Sequence, residues 1–588
     1  MKQRISSFAR AAILVFLFVP VVLVASGTFA DEPQKGPVNP ALQDWLSGKS
    51  AASGASHGYV PAPVDWSHLS PIKTKDTPPA AFDLRDTDGV TSVKNQYSCG
   101  ACWAFAACAA LESWLKIHNG ETFDFSENHM KNTHGFVLGH CDGGNNQIAA
   151  AYLSRWDGPL LESEDPYDPY SSTSPSPAPP PQKLLTYAPV FTAAGGDRTE
   201  IQNALMDFGA LSTMMYYDDS RYNSADATYY STASPGSEDH MVTVVGWDDA
   251  KSVSGAPGPG AWICKNSWGD TWGEGGYFYI SYYDTLAVKE AAGFFHLESP
   301  NAYGRLYEYD PLGMTGYAGY SGETAYGANV FTAVENEAVV AVGTYALTNN
   351  TAYEITVYDS GISGGNFYNP VTTVSGVFEH AGYHVVDLPV AVNVVQEQLF
   401  SVKVRYQTPG WGYPLPLEGV VSGYAQPTAA TGQSYMSGTG SGFVDIHAQG
   451  GGWANTNMCI KAIAAAPGLT VRIVGTGWAE EGQEVVLRSV LPVLVGDVVF
   501  EWYKDEAIII GAETDTFVIS SATLSDAGLY RLVVTDESKA LYESDPFELI
   551  VFSEGSLPVS GVAALAAAAA LVAAIAIARM RRTTRSVL

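Results

Sequence analysis

The chain has 588 residues, 46% of them hydrophobic, and carries 61 acidic against 31 basic side chains for a formal net charge of −30. That length exceeds a single hydrophobic core and calls for about three or four domains. The acidity, without basic clusters, excludes nucleic acid as a partner and suits a soluble surface outside the cytoplasm. Lys2, Arg4 and Arg10 precede an apolar stretch from Ala11 to Val24, with the small residues Thr28 and Ala30 after it. Residues 1–30 therefore read as a secretory signal peptide, cut after Ala30. Residues 31–79 are rich in Pro, Ser, Gly and Ala with little helical periodicity, and read as an N-terminal extension or short pro-segment.

The next segment carries chemistry. Gln96-Tyr97-Ser98-Cys99-Gly100-Ala101-Cys102-Trp103-Ala104-Phe105 places Cys102 at the start of an apolar helix pattern that ends at Asn119-Gly120. A helix N-terminus lowers a thiol pKa through its unpaired amides, as nucleophilic catalysis requires. Two cysteines so close also fit a disulfide or a thioredoxin-like redox pair. The distant partners favour the nucleophile. His240 leads into the buried-strand run Met241 to Val245, and Asn266 ends the run Trp262 to Lys265, just before Ser267-Trp268-Gly269. A cysteine nucleophile needs a base and the base an orienting group, and the order Cys, His, Asn supplies them.

From Phe82 to Tyr283 the sequence resembles the papain family (C1) of cysteine peptidases, whose local signature Cys-Gly-[Ser/Ala]-Cys-[Trp/Tyr] is matched by Cys99 to Trp103. Family members place His and Asn roughly 130–150 residues downstream. His240 fits, and the Pro/Gly-rich stretch Lys251 to Gly260 lengthens the hairpin before Asn266. The resemblance implies that Cys102 is the nucleophile, His240 the base and acid, Asn266 its orienting partner and Gln96 the oxyanion-hole amide. It also implies a Cys99–Cys141 disulfide. Gly143 and Gly144 would bind substrate backbone, and Trp268 would border the substrate site and shield the His–Asn hydrogen bond. The expected domain covers residues 80–298, helical lobe first and β lobe second. It lacks the long charged helical propeptide of many relatives, so inhibition by that route is not implied. Cys108, Cys264 and Cys459 read as buried thiols, with a Cys108–Cys264 bridge left open.

Beyond it, residues 301–465 alternate Val, Thr and Tyr with Gly/Asn turns, the pattern of an all-β sandwich. Tyr307 to Gly313 and Met458 to Lys461 resemble a lectin-like domain. Tyr317, Tyr320, Trp411 and Tyr413 are candidates for stacking on sugars. Residues 468–552 resemble an immunoglobulin-like domain. Ser489 and Leu532 stand at the usual cysteine positions, Trp502 is the core tryptophan, and Asp526 to Leu532 is the tyrosine-corner sequence. Residues 559–578 read as a transmembrane helix and 579–588 as a basic cytoplasmic tail. Leu557 to Gly561 resembles a sorting signal with serine in place of threonine.

The expected architecture is therefore an α+β papain-like two-lobed peptidase followed by two all-β sandwich domains and a C-terminal transmembrane helix. The expected activity is that of a thiol endopeptidase anchored at the cell envelope or cell surface, with polypeptide substrates and surface glycans as candidate partners. No cofactor is implied, and His129, His134 and His140 beside Asp142 match no zinc spacing, so no metal site is expected. The competing readings are a surface adhesion protein with an inert peptidase fold and an acyl transferase on the same fold.

Overall fold

The computed structural model describes residues 32–48, 57–73, 77–232, 238–465, 471–475, 477–490, 498–537, 541–544 and 546–552. The expected signal peptide, sorting-like sequence, membrane helix and basic tail lie outside these. Among the described residues no helix is long and apolar enough to cross a membrane.

The domain expected over residues 80–298 is built around the helix Cys102–Asn119. Alanines favour helix without demanding space, and every side chain from Cys102 to Leu115 is buried, so this helix is packed on all sides. Gly120 closes it in the left-handed conformation (φ 65°), with its N–H bonded to the Leu115 carbonyl, and Lys116 and His118 lie at the negative end of the dipole. Ala101, at the other end, offers no side-chain cap. The first-turn amides are thus left facing the cleft.

The β lobe forms because its strands are continuous apolar runs that need cover on both faces. His240–Asp248 is central. It pairs antiparallel with Leu211–Met215 on one side and Ala261–Lys265 on the other, with a register shift between Val244 and Gly246. Gly246 is required here: a Cβ would stand 2.2 Å from the Phe82 carbonyl oxygen of the crossing strand Ala81–Asp83.

The sheet does not stop at the domain boundary. Leu184–Thr192 pairs with Glu290–Ala292 of the same domain and with Ala381–His384 of the following domain, where His384 stands opposite Tyr187. The strands Glu337–Ala346 and Ile460–Ala464 extend the same ladder. A second, six-stranded sheet covers the resulting core, in which Phe331, Val342, Ile355, Phe400 and Met458 are buried. The segments Tyr307–Gly313 and Met458–Lys461 meet inside it: Lys461 lies 3.1 Å from the Asp310 carboxylate and also pairs with Glu308.

The N-terminal segment contains a short helix, Pro40–Leu46, which its composition does not signal; Asn39 caps it by accepting from the Ala41 N–H. The strand Gln34–Lys35 adds to the edge of Gly316–Gly319. Gly36 lies directly on the Tyr317 ring, and His68 stacks on Trp411 with centroids 3.8 Å apart. Tyr317 is consequently buried and not an exposed platform.

A third β unit follows. Val499–Lys504 pairs with Gly528–Thr535, and Val485–Val490 with Thr516–Ile519. Trp502 is fully buried and donates to the Thr514 carbonyl, Leu532 is buried, and the Tyr530 hydroxyl donates to the Asp526 carbonyl at 2.8 Å.

Candidate active site

The cleft between the lobes gathers the sequence-predicted residues. Cys102 is fully buried at the helix start, and His240 opens the central strand of the β lobe. The His240 Nε2 and Asn266 Oδ1 atoms are 2.8 Å apart, and Asn266 Oδ1 also accepts from the Ser267 N–H. The Trp268 indole stacks on the His240 ring at 4.7 Å and 23°, covering that hydrogen bond. Trp268 is itself fixed edge-on by Tyr217 and Trp272.

Gln96 is positioned by Ser267, whose hydroxyl donates to its Oε1 at 2.6 Å. Its Nε2 donates to the carbonyls of Cys99 and His57. Cys99 and Cys141 are joined in a disulfide that ties the loop before Cys102 to the Gly143-Gly144 segment. Cys108, Cys264 and Cys459 are free and buried. Both glycines are dictated by geometry: Gly143 has φ 110°, and a Cβ on Gly144 would stand 2.6 Å from the Trp103 indole.

Two of the three histidines near Asp142 in the sequence have partners of their own. His129 Nδ1 lies 2.7 Å from the Tyr152 hydroxyl, and His134 Nδ1 accepts from the Phe136 N–H.

Residues 57–60 lie across this cleft, a feature with no signal in the sequence. Tyr59 bridges Gly144 in a parallel sense: the Val60 N–H donates to the Gly144 carbonyl at 2.9 Å, and the Gly144 N–H to the Gly58 carbonyl at 3.0 Å. The Tyr59 N–H donates to the Asp239 carbonyl. The His57 ring packs within 5.4 Å of His240 and 5.3 Å of Trp268, and its Nδ1 is 3.3 Å from Asp239 Oδ2. Main-chain hydrogen bonding of this kind can be made by almost any residue, so composition could not announce it.

Covering the cleft has an electrostatic consequence. Burial pushes the Cys102 thiol far up, despite the N–H of Met241 donating to its sulfur at 3.3 Å. Burial also pushes His240 down to about 3, aided by the neighbouring His57. Burial thus disfavours the charged form of both groups while the cleft is covered, and among the described residues His240 Nδ1 has no hydrogen-bond partner. The atoms of an acyl-transfer site are assembled, while burial opposes ionisation of the thiol and imidazole.

Behind the site, sequence reading missed a buried charge network. Lys94 Nζ reaches Glu112 at 3.1 Å on the central helix and Glu127 at 2.8 Å, and Lys265, next to Asn266, donates to Thr91. Spaced from 18 to 33 residues apart along the chain for the Lys94 contacts, these groups form no local motif.

Residues 78–292 match the family described as papain family cysteine protease, and residues 306–464 match the lectin like domain. The senescence-specific cysteine protease SAG12 of Arabidopsis thaliana is 31% identical over 213 residues, covering 34% of this chain and 56% of that protein. Vignain of Ricinus communis is 31% identical over 209 residues, covering 34% and 54%. The chain thus spans about half the length of these curated relatives. The structure of the cysteine protease and lectin-like domains of Cwp84, a surface layer associated protein of Clostridium difficile, covers 74% of this chain and 99% of its own, with a TM-score of 0.63 at 24% identity. The clostridial protease Cwp84 after propeptide cleavage covers 66% and 99%, with a TM-score of 0.57 at 26% identity.

Proposed function

With residues 78–292 a papain-family cysteine peptidase domain and residues 306–464 a lectin-like domain, we propose that the chain is an exported, membrane-anchored cysteine endopeptidase held latent by its own N-terminal segment. One observation carries the peptidase reading: the Gln96 amide, beside the uncapped helix start at Cys102, holds the carbonyl oxygen of an extended peptide, His57 O, at 2.8 Å. A site that binds a peptide carbonyl there is suited to receive the oxyanion of a tetrahedral intermediate.

When residues 57–60 leave, water re-enters and the burial that opposes ionisation of Cys102 and His240 is relieved. The thiolate–imidazolium pair then forms. Cys102 attacks the scissile carbonyl, the C–N bond breaks as His240 protonates the departing amine, and a thioester remains. Water, deprotonated by His240, hydrolyses it and regenerates the thiol. Asn266 keeps the ring oriented through both steps, and Gly143-Gly144 aligns the substrate backbone.

Export and anchoring rest on the sequence of residues 1–30 and 559–578. The buried Trp502 and the Tyr530–Asp526 hydrogen bond support an immunoglobulin-like reading of residues 468–552, a spacer between enzyme and membrane. Surface glycans remain the candidate ligand of the lectin-like domain. The likeness to a protease from which a propeptide is cleaved supports removal of the N-terminal segment.

The test is labelling with a thiol-directed epoxide, together with peptide-library cleavage, before and after proteolytic removal of residues 31–79. The reading requires labelling and cleavage that rise on removal and vanish in Cys102→Ala. An unreactive Cys102 in the trimmed protein would favour the adhesion alternative.

A further inference from the structure

Beside the covered cleft lies a cavity of about 70 Å³ walled by three parts of the chain: Tyr59 of the N-terminal segment, Asn146, Gln147 and Glu290 of the peptidase domain, and Tyr383 of the lectin-like domain. Its polar groups are unpaired in a consistent way. Asn146 Oδ1, Gln147 Oε1 and the Tyr383 hydroxyl have no protein partner, although Asn146 is only 8% and Tyr383 only 1% exposed. Among the described residues no lysine or arginine lines the cavity. The Glu290 carboxyl is pushed up to about 8 by burial, with Glu238 and Asp65 adding repulsion. The walls thus present mostly acceptors and two carboxyl groups, Glu290 of the peptidase domain and Asp65 of the N-terminal segment, so that Glu290 alone remains once that segment leaves. A lysine or arginine head is the complementary group, since it has only donors and a full positive charge.

The cavity is also placed to meet a substrate. Tyr59 is the residue that bridges Gly144, and its phenol pKa is pushed up by burial first and then by the charges of Glu238 and Glu290. A peptide hydrogen-bonded to Gly144 in its place would direct one side chain to the same walls.

We propose that this interdomain cavity is a substrate side-chain pocket for lysine or arginine, with Glu290 as its pairing charge and Tyr383 of the lectin-like domain as a specificity-determining wall. The inference rests on the peptidase reading above and adds the substrate class. It also gives the second domain a part in substrate choice: the strand carrying Tyr383 is hydrogen-bonded directly to the peptidase strand Leu184–Thr192.

The experiment compares kcat/KM of the full chain, processed to its active form, on peptides identical except for lysine, norleucine or glutamate at the residue bound opposite Gly144. Wild type is expected to prefer lysine to norleucine by at least about tenfold, mostly through KM, as a buried group left unpaired would dictate. Glu290→Gln should abolish that preference by lowering kcat/KM for the lysine peptide, and Glu290→Lys should turn it toward glutamate. Tyr383→Phe should reduce the lysine preference. Equal cleavage of lysine and norleucine peptides by wild type, or an unaltered ratio in Glu290→Gln, overturns the pocket. Should Glu290→Gln fail to fold, an unaltered ratio in Tyr383→Phe overturns the contribution of the lectin-like wall. A chain that cuts none of the peptides and resists the epoxide instead overturns the peptidase reading.

Discussion

The side-chain amide of Gln96 donates to the carbonyl oxygen of His57 at 2.8 Å. The donor best placed to stabilise an oxyanion is thus occupied by a peptide group 39 residues earlier in the same chain. The covering segment bridges Gly144 in a parallel sense and Cys102 is buried, so under the function proposed above latency and the covering of the site would be two aspects of one set of contacts.

If Gln96 supplies the oxyanion donor, Gln96→Ala should lower kcat of the processed protein by about 10²–10³-fold, roughly 2.7–4 kcal/mol, with little change in KM. Steady-state kinetics on one peptide decide it. A rise in KM alone would assign Gln96 to ground-state binding.

Gly58 sits at φ 114°, and a Cβ there would stand 2.4 Å from the Gly100 backbone. Gly58→Ala should therefore expel the segment from the cleft. Strain of about 1–3 kcal/mol at such a position corresponds to roughly five- to 150-fold in the open population. Epoxide labelling of Cys102 in the unprocessed chain should accelerate accordingly; labelling no faster than wild type would mean the segment is not what restrains Cys102.

Four histidines gather at the seam between peptidase and lectin-like domains. The Tyr187 hydroxyl lies 3.0 Å from His380, Tyr187 packs against His296 and His384, and Trp114 packs against His118 and His296. Burial pushes His118 and His380 down to about 4, His384 to about 3, and His296 down as well. Groups that resist protonation when folded contribute stability that is complete above their unfolded pKa of about 6.5 and is lost as pH falls toward the folded values. The Tm should drop by several degrees between pH 6.5 and 4, and His384→Gln should flatten part of that slope. A Tm insensitive to pH across this window would contradict it.

Lys461 and Asp310 are both buried, with Glu308 beside them. Lys461→Met removes the cation and leaves the carboxylates uncompensated, a loss of about 3–5 kcal/mol. Urea denaturation of the lectin-like domain's transition should register it, and a change below about 1 kcal/mol, the range of exposed pairs, would show the pair to be solvated.

Reading the chain alone identifies Cys102, His240, Asn266 and Gln96 because each sits in a short pattern: a helix start, two strand ends and a turn. It likewise marks Trp502 and the Tyr530 corner, and the β texture of residues 301–465, since alternation and turn residues are local consequences of backbone geometry. Three features have no such trace. His57 reaches Gln96 through its carbonyl, a group common to every residue. Lys94 finds Glu112 and Glu127, and Glu290 comes to share a cavity with Tyr383, because separate elements pack together. The residues of that cavity look ordinary where they stand, and only folding strips them of water and leaves their oxygens unpaired. The sequence by itself determined which chemistry the chain carries, because reactive groups need particular neighbours along the backbone. Tertiary structure alone decided that the chemistry is covered, and that a second domain helps to wall the pocket beside it, because burial and charge depend on what packs from afar.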